Sequence, residues 1–194
     1  MIIVKFFLMG FLFLATPLSF AGQMNLKVTK LTGEIQFGSQ ILKAGDQISR
    51  AGLIKVADDP KAQIDLLYPD GHKLRLKSGG QLVIEGEGKL FAKSLTLLKG
   101  QSFIHFLKKP DVKNYKFKTR TAVAGVRGTK FLLEDREGAT YLCVCEGTVE
   151  LSSENIKRSV AAGQDLWSRP GAALGEPKNS PDMSKQTNKE FESM

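Results

Sequence analysis

Two cysteines, two positions apart, carry the most reactive side chains of this sequence. Cys143 and Cys145 lie in the run TYLCVCEG, which predicts a β-strand because its residue types pack well on a pleated surface. Alternate residues of a strand point to one face, so both thiols are expected there, with Cα atoms about 6.6 Å apart. A disulfide holds its Cβ atoms at about 3.8 Å, so a bridge would need a bent backbone. The pair is interpreted as two buried thiols or a structural disulfide, with an intermolecular bridge or a metal pair as alternatives.

Metal and catalytic sites have little support in the sequence. His72 and His105 are the two histidines, and their spacing from the cysteines does not resemble a zinc motif. The sequence contains no C-x-x-C redox or haem motif, no HExxH and no nucleophile elbow. We therefore predict no metal, no cofactor and no catalytic residues, and a protein that is not an enzyme.

Two alternating segments each place three basic side chains on one face. Side chains two apart in a strand share a face, which groups Lys73 with Arg75 and Lys77, and Lys116 with Lys118 and Arg120. Runs of charge are mostly solvated, so the first interpretation is two outer faces exposed to water. The alternative is an anion-binding surface for cell-envelope polysaccharide or lipid head groups.

A glycine-flanked arginine lies in the run TRTAVAGVRGTKF. Two glycines around Val126 and Arg127 indicate a tight turn or a bulge. Arg127 is interpreted as a clasp between strands, with anion binding as the alternative. GVRG also matches the G-x-x-G loop of KH domains, but that loop joins helices and these flanks resemble strands, so no nucleic-acid partner is predicted. The motif residues are Ala124, Gly125, Val126, Arg127, Gly128 and Thr129.

The elements that must position these residues are short strands. Residues 64–68 and 73–77 are apolar-rich runs around Pro69-Asp70-Gly71, which predicts a hairpin. Residues 115–120 alternate strictly between apolar or small and basic side chains. We find no helical period of useful length, so the fold is predicted to be all-β, an irregular β-solenoid or a sandwich. Residues 168–194 are rich in proline and polar residues and are predicted to be a flexible tail.

The beginning of the chain has the layout of a secretory signal peptide. Lys5 precedes a ten-residue apolar run at 6–15, and small residues end at Ala21. The run is too short for a membrane anchor, which needs about 20 apolar residues. We therefore expect cleavage after residue 21, a periplasmic or secreted mature chain, and no transmembrane span in it. The formal net charge of +8 over 194 residues, with 42% hydrophobic residues, is consistent with a globular domain rather than a disordered chain.

A set of segments in order along the chain resembles the FecR domain family. These segments are GEIQF, KAGDQI, AQIDLLYPDGHKLRL, YKFKTRTAVAGVRGTKF, YLCVCEGTVEL and VAAGQDLW. AVAGVRGTKF followed by EGTVEL is the most specific part, and the resemblance assigns residues 22–167 to a FecR-type β domain. It implies an extracytoplasmic, solenoid-like domain without a catalytic centre, of the kind that often acts as a periplasmic sensor relaying receptor occupancy to a sigma factor.

The expected function is therefore that of a non-enzymatic, exported module of the cell envelope. It would bind, scaffold or sense through contacts with an envelope protein. The alternative function is a basic surface that binds anionic envelope polysaccharide or lipid through the six cations named above.

Overall fold

The part of the chain that the structure describes contains seventeen strands and one helix. The structure is a computed structural model, and it describes residues 25–87, 91–108, 115–126 and 128–194. The helix, α1, spans Pro181–Glu192. The strands are β1 (Leu26–Thr32), β2 (Ile35–Phe37), β3 (Gln40–Ile41), β4 (Gln47–Ile48), β5 (Gly52–Val56), β6 (Gln63–Leu67), β7 (Lys73–Lys77), β8 (Gln81–Ile84), β9 (Ser94–His105), β10 (Tyr115–Lys118), β11 (Val123–Val126), β12 (Lys130–Arg136), β13 (Ala139–Glu146), β14 (Thr148–Ser153), β15 (Ile156–Ala161), β16 (Gln164–Ser168) and β17 (Lys178–Asn179).

The strands form two nine-stranded layers that share one long strand. The first layer has the order β4-β1-β6-β7-β9-β12-β13-β16-β17, and the second has β3-β2-β5-β8-β9-β10-β11-β14-β15. β9 pairs with β8 and β10 through its first half and with β7 and β12 through its second half. Successive hairpins alternate between the layers from β6 onward. The prediction of an all-β fold is confirmed.

Apolar side chains from both layers meet in one continuous core. The predicted hairpin shows how the sequence builds it: β6 and β7 pair antiparallel, and Ile64, Leu66, Leu74 and Leu76 are at most 1% exposed. The alternate residues of the same strands point away from the core. The hairpin is confirmed, and so is the alternation in β10, where Tyr115 and Phe117 are buried.

The last residues differ from the predicted flexible tail. Residues 178–179 form β17 at the edge of the first layer, and α1 follows with Pro181 in its first turn and with Ser184 and Thr187 buried. Proline is favoured there because the first turn has no hydrogen bond for its missing N–H. The helix contacts β13, β12 and β9. Its mean hydropathy is low, so contacts with the sheet, rather than an apolar stripe, hold it in place.

Within residues 25–87, 91–108, 115–126 and 128–194, no helix has the length and apolar character needed to cross a membrane. The predicted signal peptide, residues 1–21, lies outside the described residues.

Candidate interaction surface

The outward side of the first layer lies under α1 and brings together two groups that are far apart in the sequence. We call it the covered face. The first basic stripe and the cysteine pair both lie on it, on β7 and β13. Its members are Asp65, Lys73, Arg75, Lys77, Phe103, His105, Leu132, Tyr141, Cys143 and Cys145.

Arg75 is buried on this face and paired with a carboxylate across the hairpin. It is 1% exposed and Asp65, directly opposite in register, is 4% exposed. Arg75 Nε donates to Asp65 Oδ1 at 2.7 Å and Nη2 donates to Oδ2 at 2.8 Å. This two-pronged geometry is the strongest that a guanidinium makes with a carboxylate. Hydrogen bonding to Asp65 is the main reason that the pKa of Arg75 is raised.

The other edge of the same guanidinium caps the end of α1. Nη1 donates to the Glu190 carbonyl oxygen at 3.1 Å and to Ser193 Oγ at 2.6 Å, and Nη2 donates to the Ser193 carbonyl oxygen at 3.1 Å. The last carbonyls of a helix lack partners within the helix and carry its negative dipole end. Arg75 therefore supplies hydrogen bonds both to Asp65 in the sheet and to the last carbonyls of α1.

The two lysines of this stripe also point to the end of the chain. Lys77 Nζ lies 3.3 Å from Glu190 Oε2, and Lys73 Nζ donates to the Met194 carbonyl oxygen at 3.0 Å. Arg75 is thus not part of a water-exposed face, because α1 and Asp65 enclose it. The expectation of a solvated stripe fails for this residue.

The second basic stripe is partly neutralised by acidic neighbours. Lys118 Nζ lies 2.7 Å from Glu85 Oε2, and Arg120 Nη2 lies 2.7 Å from Asp135 Oδ1. Hydrogen bonds from Lys118, Thr96 and Ser94 outweigh burial and lower the pKa of Glu85. Lys116 is exposed and makes no ion pair with any described residue.

The two thiols lie side by side under the first turns of α1. Cys143 is 0% exposed, whereas Cys145 is half-buried. Both are free, and Cys145 Sγ donates to the Ser184 carbonyl oxygen at 3.6 Å. The pKa of Cys143 is lowered, mainly by the neighbouring Cys145 and further by Thr187 and Tyr141. The pKa of Cys145 is raised by the neighbouring Cys143 and by burial. The same-face placement expected from the strand pattern is what the structure has.

Aromatic contacts hold the second half of α1. Phe191 packs edge-on against Phe103, with 5.9 Å between ring centroids, and lies 6.3 Å from His105. Burial, followed by the positive charge of Lys130, lowers the pKa of His105.

This lowered pKa predicts a loss of stability in mild acid. The unfolded chain binds a proton on His105 near pH 6.5, above the folded pKa, so the free energy of unfolding falls as the pH drops through 6.5. Denaturation curves between pH 8 and 5.5 should show that His105→Gln is less sensitive to pH than the wild-type chain. Identical pH dependence in both proteins would show that His105 carries no such linkage.

An open cleft of about 230 Å³ lies at the far end of the first layer, beside Trp167. We call it the Trp167 cleft. The Arg169 guanidinium stacks over the indole at 5.2 Å, and Tyr141 of the covered face packs against the same ring at 4.7 Å. Its other lining residues are Asp165, Leu166, Ala172, Ala173, Gly175, Glu176 and Lys178. This cleft was not predicted from the sequence, because Arg169 lies just beyond the end of β16, where the alternation of a strand no longer applies.

The glycine motif lies where the chain crosses between layers. The chain crosses from the second layer to the first between β11 and β12, and back again between β13 and β14. The two crossovers are in contact, since a Cβ atom added to Gly147 would lie 2.5 Å from the Gly128 carbonyl oxygen. Ala124, Gly125 and Val126 belong to β11, and the Thr129 carbonyl accepts from Phe106 N–H at 2.8 Å. The motif thus joins the layers through its backbone. Arg127, the predicted clasp, lies outside the described residues.

Each of the two histidines packs against an aromatic side chain. His72 is buried and stacks on Phe106, with 4.1 Å between centroids, while His105 contacts α1. In the part of the chain that the structure describes, no three His, Cys, Asp or Glu side chains converge as metal ligands would.

Comparisons with known proteins agree with this architecture. Two crystal structures from Parabacteroides distasonis, each described as a "putative anti-sigma factor", resemble the chain. One gives a TM-score of 0.54 at 16% identity, covering 68% of this chain and 61% of the other. The second gives a TM-score of 0.53 at 17% identity, covering 66% and 59%. This likeness shows a shared fold, and the chain spans about three fifths of the length of these proteins.

The family comparison is independent of that likeness. A search of curated proteins finds no match. Residues 54–150 match the family described as FecR protein, and they include the hairpin, β9 and both crossovers that meet at the glycines. Because this match covers half of the sequence, the chain belongs to the FecR family.

Proposed function

We propose that the chain is a non-enzymatic module of the cell envelope that is exported and takes part in signal transduction by binding a protein partner at the Trp167 cleft. Its FecR membership, and its fold shared with proteins described as anti-sigma factors, support a regulatory role. The signal-peptide layout of residues 1–21 supports export.

The observation that carries the proposal is the composition of the Trp167 cleft. Trp167 is half-buried, Arg169 stacks on it, and the charged residues Asp165, Glu176 and Lys178 lie around them. Tryptophan and arginine are enriched at the energetic centres of protein interfaces, and polar residues at their rims. The cleft is too small for a large ligand but can take one or two side chains of a partner.

Anionic envelope polymer has less support as the partner. Of the six cations that would bind it, Arg75, Lys77, Lys118 and Arg120 already have carboxylate partners. An ion-paired cation attracts a polyanion less than a free one does, since the two charges nearly cancel at a distance.

The test compares two single variants as bait in envelope extract. Trp167→Ala should reduce the yield of a specific protein at least about tenfold, since truncating a central interface residue has effects of that size or larger. Ile41→Ala is the control, because Ile41 is the exposed apolar residue of β3 in the other layer. Equal yields with both variants would contradict the proposal. Retention of polysaccharide or lipid alone, weakened by salt and by Lys116→Glu, would favour the anion-binding function instead.

A further inference from the structure

The cysteine pair on β13 lies at an irregularity of the sheet. β12 pairs Lys130 with Glu146 and Phe131 with Val144, so Cys145 is an extra residue with no opposite partner on β12. Pairing with β16 ends at Val144. Such a bulge bends its strand and redirects the side chains around it.

The bend matters because a regular strand holds residues i and i+2 too far apart for a disulfide. Their parallel Cβ bonds keep the sulfurs separated, whereas a bridge needs the Cβ atoms about 3.8 Å apart. Here the bulge lies at Cys145, so the second cysteine does not occupy a regular strand position relative to Cys143. The backbone therefore has the local freedom that bridging requires.

Both thiols adjoin the buried residues of α1. The Cys145 S–H donates to the Ser184 carbonyl oxygen at 3.6 Å, and Thr187, which lowers the pKa of Cys143, lies beside that thiol. Ser184 and Thr187 are the buried residues of the helix. A disulfide has no S–H, so its formation removes the donor to Ser184 and disturbs the packing at Thr187.

We propose that Cys143 and Cys145 form a reversible dithiol–disulfide site, oxidised by a small disulfide compound, and that its oxidation loosens α1 from the covered face. Access agrees with this coupling. Cys143 is fully buried beneath the helix, so an oxidant reaches it when α1 lifts. Because this coupling is reciprocal, a lifted α1 makes oxidation easier, and oxidation in turn favours the state in which α1 has lifted.

The reaction proceeds in two exchange steps. The Cys143 thiolate, the more readily formed of the two, attacks one sulfur of the oxidant RSSR, forms a mixed disulfide and releases RS⁻, which takes the proton that Cys143 lost. Cys145 then loses its proton and attacks the Cys143 sulfur, which forms the internal bridge and releases a second RSH. Two electrons and two protons have passed from the protein to RSSR.

The test uses the full chain with oxidised and reduced glutathione as the probes. Oxidised glutathione should remove two hydrogen masses per chain, and trypsin should then cut at Lys185 and Lys189 of α1 about fivefold faster, as expected for the loss of one hydrogen bond. Reduced glutathione should reverse both changes. Stable mixed disulfides, disulfide-linked dimers alone, or a bridged chain with unchanged cleavage would overturn the proposal.

Two variants of Cys145 separate bridging from unfolding. Cys145→Ser keeps a donor for the Ser184 carbonyl but cannot close the bridge, so its cleavage should be slow under reducing conditions. With oxidised glutathione it should stop at a mixed disulfide on Cys143, seen as the mass of one added glutathione per chain instead of the loss of two hydrogens. Cys145→Ala loses the donor, so its cleavage under reducing conditions should match that of the oxidised wild-type chain. Slow cleavage of Cys145→Ala would show that the thiol does not hold the helix.

Discussion

Replacing Arg75 by alanine is expected to lower the free energy of unfolding by about 3–5 kcal/mol, the usual result of breaking a buried ion pair from one side. The change leaves Asp65, 4% exposed, without its main partner. It also removes the donors to the Glu190 and Ser193 carbonyls, so α1 should separate from the covered face. Urea denaturation, followed by the fluorescence of Trp167, measures the first effect, and trypsin cleavage in α1 measures the second.

Lys77→Ala is the matched control for Arg75. Lys77 lies on the same strand and face and pairs with the same Glu190, but its side chain is 26% exposed. A partly exposed pair contributes about 0–1 kcal/mol. The double variant Arg75→Met with Asp65→Leu should recover much of the lost stability, since an apolar pair can replace a buried ion pair. A loss below about 1 kcal/mol for Arg75→Ala would contradict the network described for it.

Replacing Gly147 by alanine should destabilise the fold through the contact between the two crossovers. Gly147 has φ +79°, which costs an alanine about 1–2 kcal/mol. The new Cβ would also lie 2.5 Å from the Gly128 carbonyl oxygen, a backbone atom that cannot swing away. Overpacking of this kind costs about 1–3 kcal/mol more.

Gly163→Ala isolates the steric part of this effect. Gly163 also has φ +79°, but an added Cβ has no atom within 4 Å. Both variants share the backbone strain, so the difference between their free energies of unfolding measures the crossover contact. Equal losses of unfolding free energy in the two variants would mean that the crossovers move apart without an energetic penalty. Gly147 would then be needed only for its backbone conformation.

The sequence predicts the strands because their alternation is local. Leu74 and Leu76 face the core and Arg75 faces outward, as the two-residue period requires. The alternation does not show that α1 covers the outward side of the first layer. Arg75 is buried because Glu190 and Ser193, more than a hundred positions away in the sequence, lie over it.

The helix itself was missed for a related reason. Its largest apolar residues are Met183, which is 37% exposed, and Phe191, so no apolar stripe marks it in the sequence. It is stabilised by side chains of the sheet, through carbonyls that any residue could supply. The bulge at Cys145 depends on the register with β12, which local residue types do not specify.

The same limit applies to the Trp167 cleft. Arg169 stacks over Trp167 from just beyond the end of β16, and the cleft exists because residues 172–178 return beside them. The two segments on which the family resemblance mainly rests, AVAGVRGTKF and EGTVEL, approach each other closely at Gly128 and Gly147.

The central claim, that the chain works by contacting a protein at the Trp167 cleft, is tested most directly by site-specific photo-crosslinking in the cells that make it. A photoreactive amino acid at position 167 should give one discrete crosslinked protein, and the same residue at position 41, on the other layer, should give none. No crosslink from position 167, or the same products from both positions, would contradict the claim.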